Sequence, residues 1–147
     1  MLDGQRITLF EGNMDTSVQW REWSLEGLKV TQLKFDYQIH VHMWTRERDL
    51  AVIFEAPVTL LTAGGEACEC YYAKSATLCP LLSLLFQEVS AFHASSEGEC
   101  RLEFEDGTEL VCGPDEQYEA WQSHGSGNLV NASLLCGPAG GAPWGVA

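Results

Sequence analysis

Between Cys100 and Cys112 apolar and polar positions alternate strictly. Cys100, Leu102 and Phe104 share one phase, and Arg101, Glu103 and Glu105 share the other. After Asp106-Gly107 the apolar phase resumes at Thr108, Leu110 and Cys112. Period two with one apolar face predicts a half-buried β-hairpin. A two-residue loop would set Phe104 opposite Glu109 and mix the faces. A three-residue loop over Glu105, Asp106 and Gly107 pairs Phe104 with Thr108, Leu102 with Leu110 and Cys100 with Cys112. It places Gly107 in the left-handed region. Glu103, Glu105 and Glu109 then crowd the wet face.

The same period recurs elsewhere. Residues 5–10 and 18–25 predict a strand pair around a Gly12-Asn13 turn. From Gly27 on, Leu33, Phe35, Tyr37, Ile39, Val41 and Met43 share one phase, and Gln32, Lys34, Asp36, Gln38, His40 and His42 share the other. This predicts one long twisted strand, or two joined by a kink near Asp36. Thr45 to Asp49 reads as a charged turn and 50–54 as a short buried strand. Residues 58–62 and 67–72 form a hairpin about Ala63-Gly64-Gly65. Pro80 suits the first turn of a helix, with Leu81, Leu82, Leu84 and Leu85 at helical spacing and Phe86 extending its apolar surface. This helix should be two to three turns long and cap the sheet. Residues 88–93 form the strand before the hairpin. Asp115 is a candidate N-cap for a helical turn, whose dipole Glu116 and Glu119 favour and whose inner face Tyr118 and Trp121 share. A last strand spans 129–136.

The predicted class is α+β: a mainly antiparallel β-sheet with one short Leu-rich helix and a helical turn. Lys29-Val30-Thr31-x-Leu33 echoes Glu88-Val89-Ser90-x-Phe92, which suggests two related β-halves around the helix. Residues 1–26 read as an N-terminal extension packed on the domain, 27–136 as one β-rich domain, and 137–147 as a Gly/Pro-rich tail anchored by Trp144.

Charge changes this picture. The chain of 147 residues carries a formal net charge of −13, unevenly spread. Residues 1–74 hold 7 basic and 11 acidic residues, and residues 75–147 hold 1 basic (Arg101) and 10 acidic. Nucleic-acid binding needs the opposite sign. A basic protein partner would be steered in at long range. No leader or membrane-spanning segment is read from the sequence, so a cytoplasmic protein is expected. In that setting Cys68, Cys70, Cys79, Cys100, Cys112 and Cys136 are expected as buried thiols. Cys100 and Cys112 are the one pair placed for a cross-strand disulfide.

Candidate chemistry is sparse. His40 and His42 share a strand face and could contribute to a zinc site if Cys68-x-Cys70 lay on an adjacent strand. No C-x2-C or H-E-x-x-H motif accompanies them, and the rest of that face is ordinary wet surface. His124-Gly125-Ser126-Gly127 lacks the nucleophile elbow of a serine hydrolase and reads as a turn. Gly64-Gly65 is followed by no Lys-Ser/Thr and is not a phosphate loop. Trp20, Trp23 and Trp44 lie near strand ends, where they serve either edge packing or an interface.

Phe35-Asp36-Tyr37-Gln38, Pro80-Leu81-Leu82 with Leu84-Leu85, Leu102-x-Phe104-x-Asp106-Gly107-Thr108-x-Leu110 and Tyr118-Glu119-Ala120-Trp121 occur in an order that resembles an uncharacterised family of small, mainly actinobacterial domains. Gly127-x-Leu129 and Gly140-Gly141 before Trp144 are similar too, so the resemblance runs from about Gly27 to Trp144. It implies no activity and no catalytic residues. Size and acidity are similar to those of immunity proteins of bacterial toxin systems, which is an analogy of type rather than of site.

The leading expectation is a non-enzymatic, cofactor-free binding protein, for example an immunity protein that neutralises a basic toxin. Glu103, Glu105, Glu109, Glu116 and Glu119 would supply the charge. The alternatives are a small-ligand or metal protein using a pocket near Tyr37, His40 and His42, and a structural subunit of a homo-oligomer such as a homodimer.

Overall fold

Alternating burial along Ile39–Trp44, Asp49–Phe54, Val58–Leu61, Cys100–Phe104 and Glu109–Cys112 accompanies an arrangement of two antiparallel sheets with a common interior. The computed structural model describes residues 5–13, 16–138 and 142–143, with side chains from residue 18 through that range. The strands are β1 (Gln5–Asn13), β2 (Thr16–Ser24), β3 (Val30–Phe35), β4 (Ile39–Trp44), β5 (Asp49–Phe54), β6 (Val58–Leu61), β7 (Ala67–Cys70), β8 (Val89–Ser95), β9 (Cys100–Phe104), β10 (Glu109–Cys112), β11 (Trp121–Ser126) and β12 (Leu134–Cys136). Two 3-10 helices, η1 (Ser75–Leu84) and η2 (Gly127–Ala132), complete the described elements. The mainly antiparallel α+β class is as the periodicity predicts.

The larger sheet runs β1-β2-β8-β9-β10-β6-β7 and the smaller runs β12-β11-β5-β4-β3. Each contains the same five-strand unit, a three-strand meander extended by a hairpin. The meander β3-β4-β5 takes the hairpin β11-β12, and the meander β8-β9-β10 takes the hairpin β6-β7. Each half of the chain therefore lends its hairpin to the other's meander. The registers agree as well. Leu33, Val41, Val52, Ser123 and Leu134 form one inward row across the smaller sheet. Phe92, Leu102, Leu110, Leu60 and Cys68 form the equivalent row across the larger.

The two halves meet at a seam made by the internal repeat itself. Val30 N–H donates to Gln87 O (3.0 Å), Val89 N–H donates to Leu28 O (3.1 Å), and Lys29 pairs with Glu88. Inward side chains of both sheets form one core. At its centre Phe92 lies between Trp23 (centroids 5.7 Å apart) and Trp121 (6.0 Å, edge-on). Both indoles are fully buried, and both donate, Trp23 to Asn131 Oδ1 and Trp121 to Gly98 O (each 2.9 Å). Burying an indole without a partner would offset part of its hydrophobic gain.

The β9–β10 hairpin has the predicted register, with Leu110 opposite Leu102, Cys112 opposite Cys100, and Phe104 N–H bonded to Thr108 O (2.9 Å). Gly107 has φ +92°. All six cysteines are free thiols; Cys70, Cys100, Cys112 and Cys136 are buried, whereas Cys68 is half-buried and Cys79, on the solvent side of η1, is exposed. Burial pushes Cys112 up to about 12 and Cys100 well above the usual thiol value.

Several expectations are corrected. Between Val30 and Trp44 the chain is two strands broken at Asp36, but they reverse as an antiparallel hairpin instead of continuing through a kink. Asp36 N–H bonds to Gln38 O, and Asp36 Oδ1 accepts from Gln38 N–H, which turns the chain without glycine or proline. The Leu-rich helix is 3-10, begins at Ser75 and contains Pro80 in its interior. Its inward residues are Leu78, Leu81 and Leu84, three apart, the spacing that eclipses in a 3-10 helix. Phe86 lies beyond it, exposed. No helical turn follows Asp115. Its Oδ1 does accept from Gln117 and Tyr118 N–H (2.8 and 3.1 Å), but Trp121 then enters β11 opposite Phe54. Tyr118 is exposed and Trp121 buried, so they share no inner face. The segment 129–136 is split between η2 and β12, and His124-Gly125-Ser126 lies in β11 instead of a turn. Gly12 and Asn13 belong to β1, where the register shifts between Glu11 and Asn13, as at a bulge. The connection after them, Gly140, Gly141 and Trp144 lie outside the described residues.

β2 is hydrogen-bonded to β8 along Trp20–Ser24 and contributes Trp23 to the core. Among the described residues, no helix is long and apolar enough to cross a membrane.

Candidate functional site

The outer face of the larger sheet collects carboxylates. Trp20 and Glu22 on β2, His93 on β8, Arg101 and Glu103 on β9 and Glu109 on β10 stand side by side, because Glu22 pairs with His93, His93 with Arg101 and Glu103 with Glu109. Glu103 and Glu109 are directly opposed like charges, an arrangement that costs stability unless a cation intervenes. Two groups do so. Arg101 Nε reaches Glu99 Oε2 at 2.7 Å and its Nη1 reaches Glu109 Oε1 at 3.3 Å. Its guanidinium also lies over the Trp20 ring, 5.7 Å from the centroid. His93 has Nδ1 3.6 Å from Glu22 and Nε2 3.2 Å from Glu103, and meets Trp20 edge-on. The hydrogen bond to Glu99, reinforced by both carboxylates' charge, raises Arg101 above the usual guanidinium value. Among the described side chains, four carboxylates thus surround one permanent cation and one imidazole, and the register sets Arg6 of β1 opposite Glu22.

The turn of the same hairpin faces the seam. There an open cleft of about 490 Å³ is lined by Lys29, Phe86, Gln87, Glu88, Glu105 and Asp106. Glu105 N–H donates to Glu88 O (3.0 Å), which fixes the turn against the start of β8. Asp106 Oδ1 accepts from Thr108 N–H (2.9 Å), and that bond holds its carboxyl below the usual range. A second, smaller hollow of about 260 Å³ lies beside it, between Glu103, Gly107 and Glu109. The outer face and the cleft are therefore consecutive parts of one acidic surface.

Of the five glutamates expected at a binding surface, the structure brings Glu103, Glu105 and Glu109 together. Glu116 and Glu119 lie in the loop after β10, past its end remote from Glu105. Glu22, Glu99 and Glu88 complete the surface and were not singled out from the sequence. Only the pairing of β2 with β8, across some seventy residues, brings Glu22 beside His93.

The histidines of the alternative site lie on the outer face of the smaller sheet. His40 Nε2 is 3.7 Å from Asp36 Oδ1. Burial lowers the His40 pKa, and the Asp36 charge offsets this only in part. His42 Nε2 is 3.0 Å from Asp49 Oδ2, and Ser126 Oγ donates to the other oxygen of Asp49. Burial acts to raise the Asp49 carboxyl, but hydrogen bonds from Ser126 and His42 outweigh it and hold the pKa down. Here the aspartate sits between serine and histidine, so it binds both and leaves Ser126 Oγ without a base, unlike a nucleophilic triad. Tyr37 stands at the turn between β3 and β4, 86% exposed. Cys68 and Cys70 are on β7, in the other sheet from His40 and His42. Among the described residues no group of three or more His, Cys, Asp or Glu could hold a metal ion.

Comparison with curated proteins returns no match, and comparison with solved structures returns none either. Residues 21–145 match the family described as a family of unknown function (DUF6188), and the span takes in both sheets from the middle of β2 to beyond β12. The chain belongs to this family.

Proposed function

We propose that the protein is a non-enzymatic binding module for a basic protein partner, engaged through the outer face of β2, β8, β9 and β10. The observation that carries this reading is the set of Glu22, Glu99, Glu103 and Glu109 around His93 and Arg101, both of which meet the Trp20 ring; Arg101 is the one permanent cation of the set among the described side chains. A surplus of carboxylates beside a large aromatic suits a partner surface rich in lysine and arginine. The charges set encounter rate and register, and the aromatic supplies affinity. Neutralisation of a basic toxin by an immunity protein is the biological setting that fits such a surface. A metal or small-ligand role near Tyr37, His40 and His42 has less support, since Asp49 already engages His42 and, among the described residues, no group of three or more His, Cys, Asp or Glu could hold a metal ion.

The test is capture from native lysate at low salt with wild type and with the Glu103→Gln/Glu109→Gln variant, followed by carbodiimide cross-linking of the identified partner. Cross-links from Glu22, Glu103 or Glu109 to partner lysines, lost with the variant's binding, are the expected result. Cross-links confined to Glu116, Glu119 or the smaller sheet would overturn the assignment of the face.

A further inference from the structure

The internal repeat places Gly27 and Phe86 at equivalent positions, since Lys29-Val30 aligns with Glu88-Val89. Their backbones agree. Leu28 N–H donates to Leu25 O (2.9 Å) in one half, and Gln87 N–H donates to Leu84 O (3.0 Å) in the other. Each closes a four-residue turn whose third residue has positive φ, +90° at Gly27 and +67° at Phe86. Leu85, at φ −62° and ψ 128°, gives the second turn type II geometry, which calls for glycine at the next position. Gly27 meets that demand. Phe86 does not, and it is the one non-glycine residue with positive φ among those described. The strain gains nothing in the core, because the Phe86 side chain is 66% exposed. It is spent holding an aromatic ring at the wall of the cleft, beside Glu88, Glu105 and Asp106.

We infer that this cleft is the anchor pocket for an arginine side chain of the basic partner, which stacks on Phe86 and is bonded by Glu88, Glu105 and Asp106. The inference rests on the proposed function and names what the partner inserts. Three carboxylates against Lys29 leave the cleft negative. A guanidinium is a flat cation that stacks on an aromatic face while its edge donates to carboxylates, and this donor geometry favours it over an ammonium. The cleft adjoins the acidic face through the β9–β10 hairpin, so one partner can cover both.

The test is a titration of the whole chain with hexa-arginine peptide, followed by amide NMR, with hexa-citrulline as the neutral control. Wild type should show shifts centred on Phe86, Gln87, Glu88, Glu105 and Asp106, and none with citrulline. Phe86→Gly removes the ring and the backbone strain together, so the fold is kept while peptide affinity falls at least about threefold, the scale of a cation–aromatic contact. Glu105→Gln should weaken binding similarly, and Lys29→Gln should strengthen it. Unchanged affinity in Phe86→Gly, with shifts confined to Glu22, Glu103 and Glu109, would overturn the anchor and leave the acidic-face reading standing. Absence of any binding at low salt would overturn both.

Discussion

Gly27 and Phe86 occupy the same position in two equivalent turns, one relaxed and one strained. Relief of a left-handed φ in a non-glycine residue is worth about 1–2 kcal/mol, and glycine gives back about 0.5–1 through unfolded-state entropy. Phe86→Gly should therefore leave stability unchanged or raise it by up to about 1.5 kcal/mol, as read by urea unfolding. A loss of more than about 1 kcal/mol would mean that the ring is a packing element. The converse change, Gly27→Ala, meets no atom within 4 Å, so its cost of about 1 kcal/mol comes from the backbone alone.

Gly125 answers to a different constraint. A Cβ there would lie 2.0 Å from Leu129 O, where η2 folds back onto β11. Gly125→Ala should cost about 2–3 kcal/mol, measured by the shift in the urea midpoint at unchanged slope. A near-neutral result would show that η2 moves freely from β11.

His40 gives a pH dependence of definite sign. Its pKa is lowered in the folded state, chiefly by burial, so the fold favours the neutral ring. The corresponding stability is present above the unfolded value of about 6.5 and is lost as pH falls through the folded pKa. Urea unfolding at a series of pH values from about 7 to 4.5 should show wild type losing more stability than His40→Gln. Parallel curves would contradict this. Asp49 acts at lower pH. Its depressed pKa gives stability that is full above the unfolded value of about 3.9 and lost on further acidification, so Asp49→Asn should differ from wild type at pH 7 and converge with it in acid.

The thiols should divide by burial. Cys79 is exposed, whereas Cys100 and Cys112 are buried with raised pKa, so thiolate is scarce at either. A disulfide reagent at pH 8 should label Cys79 in the native protein and Cys100 and Cys112 only on unfolding. Rapid native labelling of Cys112 would show that the β9–β10 hairpin opens locally.

Much of this architecture is legible in the sequence where one period governs a segment. The β9–β10 hairpin follows from keeping Leu102 and Leu110 on one face. The echo between Val30 and Val89 suggests two related halves, while the hydrogen bonding of those halves to each other across the seam is seen only in the structure. Legibility fails where two signals conflict. Phe35, Tyr37 and Ile39 continue one phase through the turn at Asp36, so the pattern allows a break there but does not choose between a kink and a full reversal. Gly125 and Ser126 carry turn composition, yet they pair with Leu50 and Asp49 in β11, and the glycine at 125 answers to the Leu129 carbonyl lying where a Cβ would be. Leucines at 78, 81, 82, 84 and 85 fit helical spacing, while within the 3-10 helix the core takes Leu78, Leu81 and Leu84 and leaves Leu82 exposed. The acidic surface is half legible. The alternation predicts Glu103 and Glu109, but Glu22 arrives by long-range pairing, and Phe86 is visible only once its φ and its counterpart Gly27 are known.

The central claim is that an acidic face steers a basic partner, and the most direct measurement is the association rate of the captured partner as a function of ionic strength. The account predicts that the rate falls at least tenfold between about 0.02 and 0.5 M salt, and that Glu103→Gln/Glu109→Gln flattens this dependence while dissociation changes less. An association rate indifferent to salt, and equal in the variant, would contradict it.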